Sequence, residues 1–298
     1  MKKRFSHNPI SLKLLAVVFL LLIISSCCKE GDCKCNHDCP KEKIDYTKFF
    51  IAHAGGAIDG ITHTNSLEAL NTSYSKGCRL FELDLQTTKD GKYIAAHSWY
   101  EFKTYVNYPG VIDDTPLSEA EVLSFKIHGK YTPLNMDAIN LWFKKHPDAI
   151  LVTDKTNDPE KIFNDFKYRN RVLVELFTWE AVDKAIELGI KPMVSENLIF
   201  GWSVKAKEMG IPPQPCPRDS VIEQILEEKK IEYIVTGFYY LQDNDNKIFF
   251  KRLKEKGIKC YLGPIRIDAE DYVWIYEMKY CYGMYADNLD LLAFLLQE

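Results

Sequence analysis

The sequence predicts an α/β protein, a (β/α)8 barrel of the TIM type with a β-hairpin extension after its second strand. Three observations carry this. From residue 48 onward, short β-branched or aromatic runs alternate with amphipathic stretches, the signature of parallel βαβ units. Eight of the runs read as strands, near 49–53, 79–84, 150–154, 172–177, 192–196, 232–236, 259–263 and 282–286. A further run at 93–97 follows Asp84 too closely for a parallel crossover of about a dozen residues, so it must fold back. A doubly wound open sheet is the runner-up, but no G-x-G-x-x-G follows the first strand.

Taken in order, residues 1–27 read as an export signal, 28–47 as a cysteine-containing tether and 48–298 as the barrel. Lys2, Lys3 and Arg4 precede an apolar run from Leu14 to Ile24, too short for the ~20 residues of a membrane-spanning helix. Ile24, Ser25, Ser26 and Cys27 then resemble a bacterial lipobox, which makes Cys27 the candidate lipidation site, with Cys28 leaving the register open by one. The expected location is the bacterial cell envelope, exported and held to the membrane through that anchor. The tether is charged and poor in apolar residues. Its Cys33, Cys35, His37 and Cys39 lack the paired C-x2-C knuckles of a structural zinc site. With 46% apolar and 27% charged residues the whole chain is globular in balance, and about 250 residues suffice for one barrel. Acids and bases are interspersed at a net charge of −4, so no basic stripe is offered to nucleic acid.

Within the barrel, helices are expected over 66–76, 136–145, 159–166, 178–188, 204–209, 220–229, 247–256 and 268–278, several stopped by a glycine: Gly77, Gly189, Gly210, Gly257. The hairpin turn is Lys89-Asp90-Gly91-Lys92. If Asp90 and Gly91 are its two loop residues, Asp84 faces His97. Cys78, Cys216, Cys260 and Cys281 fall in apolar surroundings and read as buried thiols.

Active sites of such barrels lie at the carboxyl ends of the strands, and polar residues gather there. The first strand ends at His53, followed by Gly55 and Gly56. In LFELDL, Glu82 and Asp84 are two apart and so share one face, while Phe81, Leu83 and Leu85 point to the helical layer. Two inward carboxylates demand a bound cation or basic partners, and hard oxygen ligands suit Mg2+ or Ca2+. Asp154, ending AILVTD, is a third candidate ligand. Glu175 and Glu196 either join the site or pair with Lys191 and Arg266. Trp99 walls a pocket or simply packs, and Asp287 is placed to anchor a mouth loop.

The stretch IAHAGGAIDGITHTNSLEALNTSYSKGCRLFELDLQTTKDGKYIAAHS resembles the opening of the glycerophosphodiester phosphodiesterases, within the phospholipase C-like phosphodiesterase superfamily. That family shows a histidine and glycine ending strand one, Asn-Ser or Asn-Thr before helix one, then E-x-D, T-x-D-G and a second histidine. The resemblance implies metal-dependent phosphodiester hydrolysis, with His53 and His97 as the acid/base pair and Glu82 and Asp84 as ligands of a divalent cation. It also implies attack by the substrate's own neighbouring hydroxyl, through a cyclic intermediate. The substrate would be a small-molecule phosphodiester or a lipid-derived one, and Trp99, Lys155 and Glu175 are the candidate substrate-binding residues.

Three departures stand beside the resemblance. Ala54 replaces the arginine that usually follows the first histidine, removing a bidentate phosphate fork. Ser98 replaces an aspartate after the second. Lys155 is adjacent to Asp154 rather than two residues on, so strict alternation points it elsewhere. The competing reading is therefore a degenerate barrel that binds a phosphorylated or sugar ligand without turnover. Glycoside hydrolysis is weaker, since Glu82 and Asp84 point the same way and cannot flank a glycosidic bond at the ~5 Å or more it requires.

Overall fold

In the computed structural model, which describes residues 46–216, 219–264 and 279–290, eight parallel strands close into a barrel. They are β1 (Phe50–Ala52), β2 (Leu80–Thr87), β4 (Ile150–Asp154), β5 (Val172–Leu176), β6 (Lys191–Val194), β7 (Tyr233–Thr236), β8 (Lys259–Leu262) and β9 (Gly283–Ala286). β1 pairs with β2 on one side and β9 on the other, which closes the ring. The fold-back run is β3 (Tyr93–Ala95), antiparallel to β2. The leader with Cys27, the tether up to residue 45, Arg266 and the helix expected over 268–278 lie outside the described residues.

The helices in chain order are α1 (Leu67–Ser75), α2 (Trp99–Tyr105), α3 (Glu119–Leu123), α4 (Met136–Lys145), α5 (Pro159–Asp165), α6 (Trp179–Glu187), α7 (Glu196–Phe200), α8 (Val204–Glu208), α9 (Asp219–Glu228) and α10 (Asn244–Glu255). Their starts follow from short polar caps: Ser66, Asn135, Asp158 and Thr178 each accept a hydrogen bond from a first-turn backbone amide. The expected glycine stops hold, with Gly77, Gly189, Gly210 and Gly257 all at positive φ. α2, α3 and α7 were not expected. The first two belong to an insertion between β3 and β4, where Ile94, Trp99, Phe102, Val122 and Ile127 bury a small second core beside the barrel.

The hairpin corrects the expected register. Leu85 faces Ala95 and Thr87 faces Tyr93, and the Thr88 amide donates to the Lys92 carbonyl at 2.8 Å. The loop is therefore the three residues Lys89-Asp90-Gly91, closed by Gly91 at φ 75°. A turn followed by a left-handed residue is the usual three-residue hairpin, and Thr88 Oγ1 holds it by accepting from the Lys92 amide at 2.9 Å. Asp84 consequently faces Ala96, whose amide donates to the Asp84 carbonyl at 2.9 Å, and His97 lies one residue beyond the pairing.

Each of the eight barrel strands sends one side chain into a shared apolar plug: Ile51, Leu80, Val152, Leu173, Met193, Val235, Tyr261 and Tyr285. Burying an aliphatic side chain of this kind contributes about 1.5–3 kcal/mol. Phe81, Leu83 and Leu85 pack outward against the helices, as alternation requires. Because side chains repeat every two residues, the next interior layer toward the carboxyl ends is fixed by the plug. It consists of His53, Glu82, Asp154, Glu175, Ser195, Gly237, Gly263 and Asp287.

Candidate active site

That layer opens into a cavity of about 440 Å³ at the carboxyl ends of the strands, lined among others by His53, Asp84, His97, Asp154, Lys155, Glu175, Glu196 and Lys205. β1 runs into it through a tight left-handed turn, with Ala54, Gly55 and Gly56 at φ 47°, 83° and 92°. A Cβ on Gly56 would lie 2.2 Å from Ser73 Oγ, and Ser73 in turn donates to the Gly55 carbonyl at 2.6 Å. The turn aims the Ala54 amide at Glu82 Oε2, 2.7 Å away. Ala54 thus serves the site through its backbone, and its methyl is fully buried.

Glu82 and Asp84 are 0% and 1% exposed, and among the described residues neither forms an ion pair with a lysine. Asn65, itself at φ 48°, donates to Asp84 Oδ2 at 2.9 Å and accepts from the Asp84 amide at 3.1 Å. Glu82 Oε1 is buried with no hydrogen-bond partner. Burial and the negative charges of Asp84 and Asp154 push the Glu82 carboxyl well above its ordinary range. One oxygen from each of Glu82, Asp84 and Asp154 lies within 4.8 Å of the others. An orphaned carboxylate oxygen inside a triad of hard oxygen donors fits a divalent cation.

Asp154 is held differently. Against the effect of its burial, Lys205 and Lys155 keep its carboxyl below the ordinary value. Lys205 Nζ lies 2.7 Å from Asp154 and 2.9 Å from Glu175, reaching in from α8 across the mouth. This lysine was missed by sequence reasoning, as no strand alternation marks a residue on a short helix behind a loop. Glu175 also accepts from Ser195 Oγ at 3.0 Å, and burial pushes its carboxyl up to about 7 despite Lys205. Of the two alternatives for Glu175 and Glu196 the first holds: both line the cavity, and neither pairs with Lys191. Lys191 begins β6 at the opposite end of the barrel and pairs there with Glu232 at 3.0 Å. Glu196 is bound instead by the Gly237 amide and by Tyr239 Oη at 2.8 Å.

Lys155 also departs from the alternation argument. β4 ends at Asp154, and Lys155 takes φ 60°, a left-handed step that turns its side chain along the cavity wall toward Glu208, 2.6 Å away. Trp99 is 4% exposed, packs in the insertion core and walls a neighbouring cavity of about 540 Å³ that shares His97, Lys155 and Glu208 with the first. Ser98 caps α2, accepting from the Glu101 amide at 3.1 Å. Of the four cysteines among the described residues, Cys78, Cys260 and Cys281 are buried as expected, whereas Cys216 is exposed, because its segment runs over the surface before α9.

The histidines form a row that the sequence did not announce. His53 Nδ1 lies 3.2 Å from Asp287 Oδ1. Asp287 also accepts from the Ala57 amide at 2.9 Å through its carbonyl, anchoring the mouth loop. His63, in that loop at φ 57°, stands edge-on to His53 at 4.7 Å and stacks on His97 at 5.2 Å. Glu101 lies between them, 3.5 Å from His63 Nδ1 and 3.3 Å from His97 Nδ1. The Glu101 carboxylate beside them raises both histidines above the ordinary imidazole value, against the effect of burial. The arrangement therefore brings His53 and His97, each beside a carboxylate of its own, into one cavity with Asp84, Asp154, Lys155 and Lys205.

Comparison with known proteins agrees with this geometry. Residues 53–199 match the model of the glycerophosphoryl diester phosphodiesterase family. Among solved structures, a glycerophosphodiester phosphodiesterase of Thermotoga maritima superposes with a TM-score of 0.59 at 16% identity, covering 83% of this chain and 97% of its own. A glycerophosphoryl diester phosphodiesterase of Parabacteroides distasonis gives 0.59 at 17% identity, with coverage of 84% and 86%. An Oleispira antarctica phosphodiesterase in complex with the product sn-glycerol-3-phosphate gives 0.58 at 15% identity, with coverage of 84% and 96%. At these identities the likeness is one of fold. No curated protein matches the chain significantly.

Proposed function

We propose that this mouth hydrolyses phosphodiesters of the glycerophosphodiester or phospholipid head-group type, since residues 53–199 match the model of the glycerophosphoryl diester phosphodiesterase family. The observation that carries the reading is the meeting of His53, His97, Asp84 and Asp154 around one cavity, with Glu82 completing the carboxylate triad behind its wall. A phosphodiester is an anion whose cleavage needs charge neutralisation, a base for the attacking oxygen and an acid for the departing alkoxide.

Glu82, Asp84 and Asp154 are the residues that would hold a divalent cation, Mg2+ or Ca2+ by their oxygen chemistry. Bound there, the cation would supply charge neutralisation at the non-bridging oxygens. The Ala54 amide and Asn65 fix two of the three carboxylates from behind, so the triad needs little reorganisation. Lys205 supplies a further positive charge facing the same space and offsets the loss of an arginine at position 54. His53 moves a proton at the ring nitrogen not engaged by Asp287, and His97 does so opposite it, its ring held by Glu101. The attacking oxygen is the substrate's neighbouring hydroxyl, as the family resemblance implies. Trp99, Lys155 and Glu175 line the walls against which the rest of the substrate lies.

An exported protein tied to the envelope by a lipid on Cys27 would meet such diesters as products of membrane turnover, and the basic and apolar leader with its Ser-Ser-Cys supports that placement. Among the described residues no helix is long and apolar enough to cross a membrane.

The test is cation-titrated hydrolysis of a glycerophosphodiester panel by the full chain, with His53→Ala and Glu82→Ala beside it. Turnover that requires cation and is lost in both variants is expected. Saturable binding of the diesters without turnover at any cation concentration would replace this reading with the non-hydrolytic binding barrel.

A further inference from the structure

The cavity has two unlike flanks. The side formed by β1, β2, β4 and β5 is ionic, as described above. The opposite flank is mostly apolar: Val204 at the start of α8, Val235 on β7, Phe238 and Tyr239 after it, and Pro264 after β8, with Glu196 beneath Tyr239 and Lys205 and Glu208 further along α8 as its charged groups. Three large apolar side chains remain open to solvent at this rim, Trp202 at 42%, Val204 at 50% and Tyr239 at 47% exposed. The backbone beneath them is pinned: the Trp202 carbonyl accepts from Tyr240 Oη at 2.9 Å, Tyr240 stacks on Phe200 at 3.8 Å, and Tyr239 Oη donates to Glu196. A rim that is largely apolar, exposed and continuous with a charged floor fits a ligand with the same division.

We propose that the flank from Val204 to Tyr239 is a binding site for the hydrocarbon chain of an amphiphilic substrate, a phosphodiester that carries a single acyl or alkyl chain. The inference rests on the phosphodiesterase reading for its polar end. Val204 and Lys205 are consecutive on α8, so one short helix offers an ammonium to the acids of the floor and an isopropyl group to the rim. A chain leaving the phosphate region passes directly onto Val204 and Tyr239. A glycerol substituent of the same size as a head group has no apolar surface to place there and leaves the rim wet.

The experiment is equilibrium binding to the full chain, with a monoalkylglycerol phosphate compared against glycerol phosphate, both below the micelle concentration. Turnover of a monoacyl phosphodiester and its deacylated counterpart is measured in parallel. The alkyl ligand is expected to bind at least about tenfold more tightly, since each buried methylene contributes to transfer from water. Val204→Asp is expected to bring that ratio close to one, and Val204→Leu to preserve it. Equal binding of the two phosphates by the wild type, or a ratio indifferent to Val204→Asp, overturns the inference. Preference for the alkyl ligand without turnover of either diester supports the chain site and overturns the hydrolytic reading, so the two failures are separate.

Discussion

Lys205→Met removes the cation that, among the described residues, touches both Asp154 and Glu175, while keeping most of the side-chain volume. The two acids are 4% and 1% exposed, and the lysine side chain 19%, so water screens the pair poorly. Removing one partner of a buried ion pair costs about 3–5 kcal/mol, because the remaining charge is left uncompensated. The lower half of that range is expected, since Glu175, already pushed up to about 7, can take up a proton in place of its partner. For a barrel of this size each kcal/mol moves the melting temperature by roughly 2–4 °C, which places the loss at roughly 6–16 °C. The assay is thermal unfolding of the full chain with chelator, repeated with excess Mg2+. The cation is expected to raise the melting temperature of the variant more than that of the wild type, because it restores positive charge to Asp154. A variant that melts with the wild type in chelator would refute the electrostatic account of the cluster.

Four further outcomes follow from the same geometry. Glu82→Gln should weaken Mg2+ or Ca2+ binding roughly tenfold or more by titration calorimetry, and unchanged affinity would remove Glu82 from the ligand set. Stability should fall as pH rises from about 4.5 to about 7, because Glu175 binds its proton more tightly folded than unfolded; urea unfolding across that range should show the slope, and Glu175→Gln should flatten it. Gly56→Ala places a Cβ 2.2 Å from Ser73 Oγ at φ 92° and should cost about 2–4 kcal/mol in the same assay, with an unchanged midpoint counting against the strained turn. Asp287→Asn should lower kcat roughly 10²-fold or more with little change in KM, as His53 loses the carboxylate that orients it; a raised KM with kcat unchanged would assign Asp287 to substrate binding instead.

The parts of this site readable from sequence are those governed by strand period. His53, Glu82, Asp154, Glu175 and Asp287 each lie two residues beyond a plug side chain on its own strand, and a period of two is visible in the letters. The helices were legible for a similar reason, through Ser66, Asn135 and Thr178 at their starts and glycines at their ends. Reading stopped where position depends on a loop. The hairpin differs by one residue because Thr88 closes a three-residue turn through its side chain, an option the Asp-Gly pair does not exclude. Lys155 escaped alternation because its backbone turns left-handed at the strand end. His63 and Lys205 lie on a loop and a short helix whose contacts, 34 residues from His97 and 51 from Asp154, are set by the folded mouth alone.

The hydrogen bond between His53 and Asp287 spans 234 residues of sequence and lies at the seam where β1 and β9 complete the ring. Its consequence is one of timing. A chain emerging from the ribosome or a translocation channel carries both histidines and all three triad carboxylates well before β9 is available. His53 gains its orienting partner only when the last strand docks, so the nearly complete barrel holds its reactive residues without their final alignment. Chemistry at the mouth is thereby tied to completion of the polypeptide, and a fragment ending before residue 287 should be inert however well its first half folds.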